Sequence, residues 1–111
     1  MYPLKQHIQL SPEKWEKNAR TQQVLMISNE LNRAINCLKD GYPQDAEKCI
    51  ERAFELIDLT SEDPRWISSL KEIRRFREVL AEVYLSKDID QIRALLPTLL
   101  LFDVEAYNML H

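Results

Sequence analysis

The chain has 111 residues, 45% hydrophobic and 30% charged, a size and balance that suit one hydrophobic core under a solvated surface and exclude wholesale disorder. Fifteen Lys and Arg against eighteen Asp and Glu leave a formal net charge of −3, which excludes a general attraction for nucleic acid. A single glycine, Gly41, is too few for the repeated tight turns of a hairpin-rich β fold, so the expected class is all-α.

Residues 1–10 are expected to form an extended N-terminal arm. Pro3 blocks an early helix, and Tyr2, Leu4, Ile8 and Leu10 are spaced evenly without a helical stripe. This stretch lacks the continuous apolar run of a secretory signal, and the longest such run, Leu99 to Phe102, is too short to cross a bilayer. No membrane role is expected, and the expected location is cytoplasmic. Ser11-Pro12-Glu13 then supplies a hydroxyl cap, a proline at the first helical position and an acid in the first turn. The first helix is predicted over 11–39, with Trp15, Ala19, Val24, Ile27, Leu31, Ala34, Ile35 and Leu38 as its apolar stripe.

Asp40-Gly41-Tyr42-Pro43 is a stop-and-restart signal, because Gly41 can take the left-handed capping conformation and Pro43 can open the next helix. The second helix is predicted over 43–59. It places Ala46, Cys49, Ile50, Ala53, Phe54, Leu56 and Ile57 on one face and a carboxylate stripe, Glu47, Glu51, Glu55 and Asp58, on a solvated one. Thr60 to Pro64 is a further cap followed by proline, and Trp66, Leu70, Ile73, Phe76, Leu80 and Val83 mark a third helix over 64–85. Asp88 caps a fourth over 89–110, where Pro97 removes a backbone donor and crowds the carbonyl of Arg93. The predicted fold is an antiparallel four-helix bundle with an extended N-terminal arm and a last helix kinked or broken near Leu96.

Catalytic chemistry is not expected. The only histidines, His7 and His111, stand at opposite ends of the chain, which leaves no metal site, and no base lies at helical spacing from Cys37 or Cys49. The two cysteines can approach each other across a hairpin about residue 43, but without a C-x-x-C motif they are expected to be reduced core thiols. One glycine cannot build a phosphate-cradling loop, so no cofactor or small-molecule substrate is expected. A helical nuclease subunit of the kind paired with nucleotidyltransferases would need Arg and His a few residues apart, and neither histidine supplies that. Lys71, Arg74, Arg75 and Arg77 form the one basic cluster, interleaved with Glu72, Glu78 and Glu82 as on an ordinary solvated face. Glu30 stands alone beside the first apolar stripe.

The informative feature is the run around Pro97. Leu95, Leu96, Leu99, Leu100, Leu101 and Phe102 cover more of the helix circumference than one bundle face can bury. Either the bend and the N-terminal arm cover them, or they form an interface with another protein or with a second copy of the chain.

In layout, residues 11–102 resemble the flagellar secretion chaperones, which bind flagellin before export. The residues that carry the resemblance are Ser11-Pro12 opening the first helix, Gly41-Tyr42 at the turn, Ile50 to Ala53, and the Lys87-Asp88 turn before the last helix. The chain departs from that family at Arg74-Arg75-Phe76-Arg77, where a tyrosine-rich pattern would stand, and in a short connection at Thr60 to Pro64. The resemblance implies a non-catalytic binder that takes an extended partner segment into apolar grooves between its helices. Leu96, Leu99, Leu100 and Phe102 would then line the groove, and Leu100→Asp would abolish binding while leaving the bundle folded. The competing expectation is a homo-oligomer in which the same leucines meet their symmetry mates.

Overall fold

The structure, a computed structural model, describes residues 10–110. The arm proposed for residues 1–10 therefore lies outside the described residues except for Leu10, which packs against the core. Among the described residues there are six α-helices and no strand: α1 (Pro12–Glu16), α2 (Arg20–Lys39), α3 (Pro43–Glu62), α4 (Leu70–Ser86), α5 (Ile89–Leu100) and α6 (Val104–Leu110). Four of these are long, and a 3-10 segment, Pro64–Ser69, leads into α4.

The expected first helix is two helices. Ser11 caps α1 as its sequence implies, its Oγ accepting from Lys14 N at 3.3 Å. The chain then leaves the helix, with Ala19 in an extended conformation ahead of α2. The carbonyls freed by this break are taken by distant side chains. Gln23 Nε2 donates to Trp15 O at 3.0 Å, and Arg65 Nη2 lies 2.9 Å from the carbonyls of both Glu16 and Asn18. The break directs Trp15 fully inward, where its Nε1 donates to Thr60 Oγ1 at 3.0 Å.

The turn between α2 and α3 follows local rules. Gly41, at φ +83°, lets Tyr42 N reach Cys37 O at 2.8 Å and Gly41 N reach Leu38 O at 3.3 Å, the paired bonds that close a helix end. Pro43 opens α3 at once, and α2 and α3 pack along each other as the most extensive helix pair. Leu31, Ala34, Ala46, Ile50 and Ala53 are fully buried at this pairing. Each fully buried Leu or Ile contributes about 1.5–3 kcal/mol relative to exposure.

α3 runs one turn beyond its expected end. Asp63 stops it and opens the 3-10 segment, its Oδ1 accepting from Arg65 N at 3.0 Å. The tighter winding brings Trp66 into the core. α4 buries Ile73, Phe76, Leu80 and Val83, and Lys87 ends it in the left-handed region at φ +52°.

Pro97 does not break the last helix. It stays inside α5 at an exposed position, where the carbonyl it leaves unpaired can be hydrated. The break falls after Leu100, because Asp103 caps α6, its Oδ1 accepting from Ala106 N at 3.0 Å and from Thr21 Oγ1 at 2.9 Å. α2 lies against α3, α5 and α6, while α4 packs on α3 and α5. One cluster of buried residues from Trp15 to Ala106 joins these helices, and no helix among the described residues is long and apolar enough to cross a membrane.

Candidate partner-binding groove

The two sides of α4 differ in chemistry. Toward α3 the seam is polar: Arg77 Nε donates to Asp58 Oδ1 at 2.6 Å, Tyr84 Oη to Glu51 Oε2 at 3.3 Å, and Lys87 Nζ pairs with Glu47 Oε1 at 2.7 Å. Phe54 sits in the same seam, edge-on to Tyr84 with centroids 6.0 Å apart and with the Arg77 guanidinium 5.0 Å from its ring centroid. Most of the carboxylate stripe expected to face solvent on α3 thus serves as the footing of α4. Burial raises the Tyr84 phenol above its usual range, and the neighbouring Glu51 and Glu47 push the same way.

Toward α5 the helices part and leave a furrow. Its upper section, about 320 Å³, is lined by Phe76 and Val79 of α4, Leu95 and Thr98 of α5, and Phe102 beyond, with Glu72 and Arg75 on the lip. A second section of about 460 Å³ shares Val79 and Leu95 with the first and continues past Val83 and Ala94 to Ser86 and Gln91. From Glu72 to Ser86 the rise of α4 makes the furrow about 20 Å long. Phe76 and Phe102 meet edge-on at its upper end, centroids 5.9 Å apart. Beside it, Lys71, Arg74 and Arg75 line an open cleft of about 540 Å³ together with Ile67, which is 76% exposed.

The six residues singled out in sequence are dispersed by this geometry. Leu95 and Phe102 line the furrow, although Leu95 is largely buried. Leu96 is half-buried against the core. Leu99 and Leu100 belong to the core itself, with Leu100 only 4% exposed, so they are not available as surface. Leu101 is 65% exposed and points away from the core, and Val104 beyond it is exposed as well. The correction has a physical cause: α5 is flanked by α2, α4 and α6, so it buries more than one face. Phe76 and Val79, three residues apart on α4, are the furrow residues the sequence reading missed as a site. Their helical spacing carried the signal, but so does that of any core pair.

A buried polar cluster stands elsewhere, where α1, α2 and the 3-10 segment meet. Trp66 Nε1 donates to Gln23 Oε1 at 2.7 Å, and Gln23 Nε2 donates to Asp63 Oδ2 at 3.1 Å. Arg65 closes on Asp63 at 2.7 Å, and the Arg20 guanidinium lies 4.3 Å from the Trp66 ring centroid. The side-chain hydrogen bonds of Arg65 hold the Asp63 carboxyl down at about 2, against the opposing effect of burial. An acid held ionised and accepting from two residues, Arg65 and Gln23, is a structural acceptor rather than a proton donor. Glu30 is buried too, paired with Arg52 at 3.0 Å and Arg33 at 3.3 Å. Among the described residues, no group of three or more His, Cys, Asp and Glu is placed to hold a metal ion. No family model, curated protein or solved structure matches the chain.

Proposed function

We propose that this chain is a non-catalytic protein-binding module whose four long helices form an antiparallel bundle, and that it takes an amphipathic segment of another protein into the furrow between α4 and α5. The observation that carries this reading is the furrow itself, concave and lined by Phe76, Val79, Leu95 and Phe102 beside a lip of charge. Its length and section suit an extended segment or a short helix laid between two helices. Lys71, Arg74 and Arg75 border it together with Glu72 and Glu78, so the partner segment presents charged residues of both signs flanking its apolar ones. This is the export-chaperone-like role that the sequence resemblance implies, and a cytoplasmic location accords with two unbridged thiols.

Thr98 tests the reading, because it lines the furrow at an exposed position and touches no core packing that a longer side chain would disturb. Thr98→Arg fills the groove with a long side chain, so it should lower partner retention at least about tenfold, a loss of about 1.4 kcal/mol. Asn32→Arg, exposed on α2, should leave retention unchanged. Capture from a lysate by the intact chain, compared across the two variants and followed by the molar mass of the purified complex, measures this. Equal retention by both variants removes the furrow from the account. A complex containing only further copies of the chain favours the homo-oligomer, for which Leu101 and Val104 are among the exposed apolar residues, with Ile67 and Leu85.

A further inference from the structure

The cleft at the closed end of the α2–α3 hairpin holds chemistry that partner binding does not use. Cys37 on α2 and Cys49 on α3 line one opening of about 400 Å³, close enough that the Cys37 thiol bears on the electrostatics of Cys49. Both are free, Cys37 half-buried and Cys49 buried. Arg52 donates from Nη2 to Cys49 Sγ at 3.1 Å, and it is anchored by the buried Glu30, which accepts from its Nε at 3.0 Å. Thus one thiol meets solvent, the second waits behind it, and a fixed guanidinium touches the second sulfur.

We propose that Cys37 and Cys49 are a peroxide-oxidised dithiol, with Cys37 the thiol that reacts and Cys49 the thiol that resolves. The Cys37 thiolate attacks hydrogen peroxide; the O–O bond breaks, one oxygen stays on sulfur as the sulfenic acid, and the other leaves as hydroxide and becomes water by taking a proton. Cys49 sulfur then attacks the Cys37 sulfur, the S–O bond breaks, and the departing hydroxide leaves as water with the Cys49 proton. Two thiols and one peroxide give one disulfide and two waters. Peroxide is the two-electron oxidant, and both sulfurs supply the electrons.

The division of labour follows from position. Burial pushes the Cys49 thiol up, so it stays protonated and inert to peroxide, while Arg52 acts in the opposite direction and favours the charge that develops on Cys49 when it attacks. The product links α2 to α3 across the Gly41 turn. This inference stands on the hairpin and does not depend on the furrow.

The experiment treats the purified full chain with hydrogen peroxide and follows intact mass and peptide maps, with dimedone present in a parallel sample to capture sulfenic acid. The expected result is loss of two hydrogens within one chain, a 37–49 linkage that dithiothreitol reverses, and dimedone on Cys37 rather than Cys49. Linkage should form at least about tenfold faster in the folded chain than in urea, because the fold holds the thiols together. In Cys49→Ser, no linkage should form within the chain, dimedone should capture the sulfenic acid of Cys37, and without dimedone Cys37 should go on to the sulfinic and sulfonic acids. Linkage only between chains, faster linkage in urea, or dimedone on Cys49 first would overturn the proposal, and the comparison of the native and urea-treated wild type stands even if a serine variant fails to fold.

Discussion

Asp63 ends α3, opens the 3-10 segment and accepts from Gln23, all from a position 2% exposed. Its carboxyl is lowered from 3.8 to about 2, chiefly by the side-chain hydrogen bonds of Arg65, with the Arg65 backbone N–H and Gln23 adding to them. A depressed folded-state value means that the stabilisation is complete above the unfolded value near 4 and is lost as pH falls toward 2. Its size is at most ~2 kcal/mol, and screening at the two-fifths-exposed Arg65 reduces it. Asp63→Asn should therefore be less stable than the wild type at pH 6, with a gap that narrows between pH 4 and pH 2. Urea unfolding at a series of pH values measures the gap; a gap constant across that window would show that the Arg65 pairing does not set it. The sequence marked Thr60 to Pro64 as a cap ahead of proline, which is local information. It could not show Gln23, forty residues earlier, serving the same carboxylate, because that pairing exists only once α2 lies beside the end of α3.

Helix ends divide into those made locally and those made by the rest of the molecule. The Gly41 turn and the Asp88 cap, whose Oδ1 accepts from Asp90 N at 2.9 Å and Gln91 N at 3.2 Å, rest on residues within one turn of one another, and both were legible. The break between α1 and α2 depends on Gln23 and Arg65 and was not legible, whereas the restart at α6 rests on the local cap of Asp103 on Ala106 N, a signal that Pro97 overshadowed. Pro97 misled for a related reason. The rule it breaks concerns a missing hydrogen bond, but at an exposed position water replaces that bond and the helix continues. Pro97→Ala restores the donor to Arg93 O without touching the core, at the expense of a more flexible unfolded chain. The net expectation is a gain of about 1 kcal/mol, below the ~3 kcal/mol of an unrelieved helix-interior proline. A higher urea midpoint at unchanged slope is the corresponding measurement, and a lower midpoint would mean that the ring itself packs usefully.

At the scale of the molecule, α4 meets its two neighbours differently. Its α3 seam rests on Asp58–Arg77, Glu47–Lys87 and Glu51–Tyr84, and its α5 side opens into the furrow. Which face of a helix is polar was legible, but which neighbour that face meets was not, since the carboxylate stripe of α3 reads the same whether it meets water or a helix. The leucines near Pro97 show the converse. Counting apolar residues around a circumference presumes one buried face, whereas α5 lies among α2, α4 and α6 and buries Leu95, Leu99 and Leu100 together. Leu100→Asp therefore cannot separate binding from folding. A carboxylate placed at that site has no partner and loses the apolar contacts of Leu100, a combination that costs more than about 3 kcal/mol. Leu101→Asp, one residue on and exposed, should stay within about 0.5 kcal/mol of the wild type. Circular dichroism with urea unfolding of both variants distinguishes them: an early-unfolding Leu100→Asp beside a stable Leu101→Asp places Leu100 in the core, whereas two equally stable variants would mean that α5 turns a different face outward and that the furrow is lined by other residues.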